Sequence, residues 1–115
     1  MALIALANSV SISAGPTVSV ANVAGNTNTF RFLNANATGI SYVGVFSNYA
    51  DALTMNDAAN GDPSGAYGVP IAPNYTEIIT GNFGMNPRPA TVYVAAITSV
   101  SSGQQVIATP CRIVE

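Results

Sequence analysis

Apolar residues recur along the chain with a period of two rather than 3.6, in runs rich in Val, Ile, Thr, Tyr and Phe bounded by Gly, Asn and Pro clusters. This alternation predicts strands near 2–7, 9–13, 17–23, 28–34, 40–46, 75–80, 90–98 and 104–113. In Thr29-Phe30-Arg31-Phe32 the two phenylalanines share one face and Arg31 takes the other, because successive side chains alternate across a strand. The segments Ile40–Phe46 and Thr91–Ile97 are apolar on both faces, as suits central strands covered on both sides, and the second covering layer could be another subunit. The expected core includes Phe30, Phe32, Val43, Val45, Val92, Val94 and Ile97.

Between the strands, Asn48-x-x-Asp51 has the spacing of a helix cap and its partner, which predicts one short helical turn in the 47–67 connection. The stretch 56–68, dense in Asn, Asp, Gly and Pro, reads as an exposed excursion. The turn formers of 99–104 suggest that the last two strands form an antiparallel hairpin. Seven to eight short strands over residues 1–115 predict an all-β, single-domain antiparallel β-sandwich, either Ig-like or jelly-roll-like.

Composition narrows what such a domain can do. Only 7% of the 115 residues are charged, against about 25% in soluble domains generally. The surface must therefore be covered by small polar residues or by other protein. The net charge is −2 and there is no Lys, which removes the basic footprint of a nucleic-acid partner. No apolar run reaches the about 20 residues of a membrane span, and MALIALANS lacks the basic start of a signal peptide, so it is read as part of the mature chain. Cys111 is the single cysteine; it forms no intramolecular disulfide and is expected to be a small buried hydrophobe.

Catalytic chemistry finds little purchase. There is no His for a Ser-His or Cys-His arrangement, and no glycine spacing with Lys for a phosphate loop. Asp51, Asp57 and Asp62 do not follow an EF-hand spacing and read first as a solvated loop. Glu77 is alone on its strand, whereas glycosidase chemistry needs two facing carboxylates. Tyr42, Tyr49, Tyr67 and Tyr75 could form a sugar platform, but Tyr is also the ordinary residue of half-buried strands and interfaces. No catalytic residue, metal or cofactor is expected. Candidate partner contacts are Tyr49, Tyr67, Phe83, Met85 and Arg88, in the connections 47–67 and 80–89, together with Glu77.

The succession Ile40–Phe46, the small-residue segment Ala50–Met55, the proline-flanked Gly68–Glu77 and the strand Val92–Ile97 resembles small β-sandwich virion proteins of tailed bacteriophages, of the head decoration or cement type. The resemblance covers about half the chain and departs from some members in the connections 56–67 and 80–89. It implies a non-enzymatic protein made in the host bacterial cytoplasm and located in the virion. There it would bind the major capsid protein on the capsid exterior and resist expansion of the shell. Self-association, with a trimer as the expected cluster, would follow from weakly charged strand edges. The alternatives are a head-tail connector or tail subunit and a carbohydrate-binding, adhesin-like module.

Overall fold

The computed structural model describes residues 2–15, 18–36, 39–59, 68–87, 89–98 and 104–114; for residues 2, 3, 56–59, 104, 113 and 114 it describes the backbone alone. Among these residues lie nine strands and one helix: β1 (Ala2–Ala5), β2 (Val10–Ala14), β3 (Ser19–Ala24), β4 (Thr29–Asn34), β5 (Ser41–Phe46), α1 (Tyr49–Ala59), β6 (Val69–Ile71), β7 (Thr76–Thr80), β8 (Thr91–Thr98) and β9 (Gln104–Val114). The eight expected strands are all present.

The strands form two antiparallel sheets. In sheet one, β1 and β2 both lie along one flank of β9, followed by β4 and β7; sheet two runs β3-β8-β5-β6. The pairing is nested: β2 with β9, β3 with β8, β4 with β7 and β5 with β6. Contacts of β4 with β9 and of β5 with β8 complete the two sheets. This is a hairpin rolled on itself, the jelly roll, and it decides between the two sandwich topologies the sequence left open.

Alternation does the packing. Phe30, Phe32 and Ile12 of sheet one meet Val43, Val45, Val92 and Val94 of sheet two in the main core, and Arg31 is exposed on the opposite face. Every residue of the expected core is buried. Ile97 belongs to a second cluster, in which Ala52 and Met55 of α1 cover Ala95 and Ile97 on the outer face of sheet two. The second layer over the doubly apolar strand β8 is therefore this helix, from the same chain.

Three expectations are corrected. β8 and β9 do not form a hairpin: β8 is flanked by β3 and β5, and β9 by β1, β2 and β4, so neither has a free side for the other. The helical segment is eleven residues long instead of one turn, and it runs into the stretch read as an excursion. Good helix formers at Ala50, Ala52, Leu53, Met55, Ala58 and Ala59 sustain it past Asn56 and Asp57. Finally β6, three residues centred on Pro70, went unread because it is too short to show alternation.

One further feature follows from proline chemistry. Residues 6–9 stand opposite only Thr109 and Pro110, so the first strand of sheet one is interrupted between β1 and β2. The Pro110 carbonyl accepts from the Leu6 N–H at 2.9 Å. Since N–H and C=O of one strand residue point the same way, the donor that proline lacks would also face this interruption, where the missing bond costs least.

Candidate functional site

The two ends of the sandwich differ in construction. At one end, Asn34 closes β4 with its side chain fully buried. Its Nδ2 donates to the carbonyls of Gly39 at 3.0 Å and Ile71 at 2.9 Å, and its Oδ1 accepts from Asn36 Nδ2 at 2.6 Å. Asn36 Nδ2 also donates to Gln105 O, and Asn36 Oδ1 accepts from the Gln105 N–H. The backbone of Asn34 accepts from Asn74 N–H at 2.8 Å and donates to Tyr75 O. A single amide thereby joins β4 in sheet one to the end of β6 in sheet two. Gly39 has φ 90° and Asn74 φ 64°, a left-handed conformation that Gly and Asn adopt most readily.

At the other end a cleft of about 450 Å³ opens between β5 and the end of β7. Its apolar lining includes Val43, Val45, Phe46, Val69, Ile79 and Phe83, and its polar lining includes Ser47, Asp51, Thr54, Thr80 and Asn82. Local structure explains these positions. Asn48 Oδ1 accepts from the Ala50 N–H at 2.8 Å and caps α1, which puts Asp51 in the first turn, where a carboxylate interacts favourably with the helix dipole. Gly81 N–H donates to Asn28 O at 2.7 Å, and Asn28 Nδ2 donates to Phe83 O at 3.0 Å, so the 81–83 turn is held to the start of β4. Among the described residues the polar lining offers one carboxylate, three hydroxyls and one amide: groups that can hold a ligand by hydrogen bonds over an apolar floor.

The residues expected to touch a partner are dispersed. Tyr49 is 51% exposed at the start of α1, with its ring edge-on to Tyr93 at 5.7 Å. Glu77 is exposed on β7, in register with Phe32, and makes no ion pair among the described residues. Phe83 is half-buried against the main core, and Met85 is half-buried in the loop beyond it. Tyr67 and Arg88 lie outside the described residues, as does Asp62; the side chain of Asp57 is likewise not described. Among the described residues no three His, Cys, Asp or Glu side chains gather in a metal-binding group. The described tyrosines do not form one platform: Tyr42 packs against the cluster under α1, whereas Tyr75 lies at the start of β7 in the other sheet.

The cleft residues Ser47, Thr54, Val69, Thr80 and Asn82 were missed by sequence reasoning. They come from four separated segments; of the lining, the sequence singled out Asp51, through its cap spacing, and Phe83, as a candidate partner contact. Cys111 is buried in β9 as expected, with its thiol pushed up by burial and its Sγ 3.6 Å from Thr29 O. Comparison with protein-family models, curated proteins and solved structures found no match for this chain.

Proposed function

We propose that the chain is a non-enzymatic structural protein of a bacteriophage virion, which binds the major capsid protein on the capsid exterior and stabilises the shell through many repeated contacts. The observation that carries this reading is a jelly roll whose chain has very few charges, and from which Ile4, Ile40, Tyr49, Leu53, Val69, Tyr75 and Ile78 project with at least 40% of their area exposed. On so weakly charged a surface these exposed apolar side chains are available for contact with other protein. The double-sheet jelly roll recurs in viral capsid and lectin domains. Weak contacts suffice for such a protein, because a symmetric shell repeats each of them and avidity replaces single-site affinity.

Co-sedimentation of the purified chain with capsids, followed by mass-spectrometric stoichiometry against the major capsid protein, tests the proposal. Hundreds of copies per particle support decoration, whereas a single ring of about six to twelve means a head-tail connector or tail subunit. A second reading, a carbohydrate-binding module, is favoured by the cleft, whose hydroxyl, amide and carboxylate rim over Phe83 suits a polyhydroxylated ligand. Retention on immobilised glycans that is lost in Asp51→Ala and Asn82→Ala variants, with no capsid binding, would favour it over decoration.

A further inference from the structure

Four margins bound the two sheets: the β1–β2 flank and β7 in sheet one, and β3 and β6 in sheet two. A free margin presents unpaired N–H and C=O groups to any other strand, and proteins blunt such margins with interruptions, prolines, short strands or charges. Three of the four are blunted here. The β1–β2 flank is interrupted at residues 6–9. β6 is three residues long with Pro70 at its centre. β7 carries Glu77 on its core-facing side opposite Phe32, where an added strand would close over the carboxylate. β3, Ser19–Ala24, has no device of this kind: six residues, no Pro, no charge, and an unbroken register with β8.

The backbone of β3 defines what it offers. Gly25 N–H donates to Ala90 O at 3.1 Å and continues the β3–β8 register, so odd-numbered residues turn their backbone groups toward β8 and Val20, Asn22 and Ala24 turn theirs outward. The Ala24 carbonyl accepts from Asn26 N–H at 2.8 Å. The N–H and C=O of Val20 and of Asn22 and the N–H of Ala24 have no partner among the described residues.

We infer that β3 is a self-association edge, along which a second copy of this chain pairs antiparallel about a two-fold axis at Asn22. Asn22 then exchanges both backbone hydrogen bonds with the partner's Asn22, and the Ala24 N–H of each copy donates to the Val20 carbonyl of the other. The occupant follows from complementarity. An uncharged strand meets its own copy without opposing like charges, the exposed Asn22 amides can bond to each other, and the half-buried Val20 faces the small Ala24. Two four-stranded sheets thereby join into one, through an isologous contact. The inference is independent of where the protein works, and it replaces the threefold cluster expected from the sequence with a two-fold pair.

Sedimentation of the full chain across a concentration series, together with oxidative cross-linking of Asn22→Cys, tests it. Hydrogen-bonded residues facing across antiparallel strands have Cα atoms about 5.5 Å apart, within the about 4.4–6.8 Å range that a disulfide spans, and Cys111 is buried and silent. The expected results are a reversible dimer, rapid cross-linking of Asn22→Cys, slow cross-linking of Ile78→Cys on the outward edge of β7, and at least a tenfold weaker dimer for Asn22→Lys. A wild-type chain that stays monomeric at its highest soluble concentration overturns the inference. So does a trimer, or Asn22→Cys cross-linking no faster than Ile78→Cys. Should Asn22→Lys fail to fold, the cysteine pair decides by itself.

Discussion

The two ends of this sandwich are built from the same strands and closed by opposite means. At the Asn34 end hydrogen bonds cross between the sheets: Asn34 of β4 reaches the Ile71 carbonyl of β6, and Thr98 N–H of β8 donates to Gly15 O at 3.0 Å. At the cleft end the bonds that hold the 81–83 turn stay on the side of sheet one, linking Gly81 and Phe83 to Asn28 and Thr80 to Thr29. Among the described residues none there joins the two sheets. A jelly roll needs both sheets fixed to each other somewhere, and concentrating that function at one end leaves the other free to be concave. The buried amide can do this because each of its polar atoms has a partner; a half-satisfied group would destabilise the same position.

The largest expected effect therefore comes from breaking the Asn34 end. Asn34→Ala leaves the carbonyls of Gly39 and Ile71 and the Asn36 amide without their buried partner, and should cost about 3 kcal/mol, with urea unfolding as the measurement. A loss under about 1 kcal/mol would mean that water replaces the amide and that the contrast between the ends is not energetic. Next comes the cleft end. A Cβ at Gly81 would lie 2.3 Å from the Phe83 ring and 3.0 Å from Val45 Cγ1. Gly81→Ala should displace Phe83 and cost about 2 kcal/mol as an overpacked site. Increased binding of a hydrophobic dye would report the widened cleft, and an unchanged dye signal would count against Phe83 as its wall.

Two smaller changes sharpen the account of the Asn34 end. Asn74→Val forces a β-branched residue into the left-handed region and should cost about 1–2 kcal/mol, whereas Asn74→Gly should stay within about 0.5 kcal/mol of the parent. Equal losses for the two would show that the Asn74 side chain matters rather than its backbone conformation. Ser41 is buried with no hydrogen-bond partner for its Oγ among the described residues. Ser41→Ala should raise the thermal midpoint by the equivalent of about 1 kcal/mol, because it removes an unsatisfied polar group without opening a large cavity.

How much of this was legible in the sequence depends on the range of the signal. Phe30-Arg31-Phe32 and Val92-x-Val94 report their faces directly, because alternation is a property of neighbouring residues. Strand partners are a property of the whole chain: the turn formers of 99–104 announce a reversal but do not say that β8 and β9 enter different sheets. α1 was read short because, among its described side chains, only Ala52 and Met55 are buried, too few to produce a clear helical period. The cleft was illegible for the same reason as the topology, since Ser47, Asp51, Val69 and Asn82 meet only once the ribbon has rolled.

The smallest expected effect tests whether the cleft is a binding feature or part of the scaffold. Asp51 is exposed, lies in the first turn of α1 and lines the cleft together with Thr80 and Asn82. For stability, Asp51→Asn removes a carboxylate near the helix N-terminus, an interaction worth about 0.3–1 kcal/mol at low salt and less when screened. The Asn48 cap remains, so the helix should persist and the thermal midpoint should barely move. For binding, the same change removes the one charged group among the described lining residues while keeping the side chain's size and one acceptor oxygen. If the cleft holds a ligand through that charge, Asp51→Asn should weaken its retention at least tenfold while unfolding in urea stays within about 0.5 kcal/mol of the parent. A variant that unfolds early would instead make Asp51 a structural member of α1, and the two ends would then differ less than their hydrogen bonds indicate.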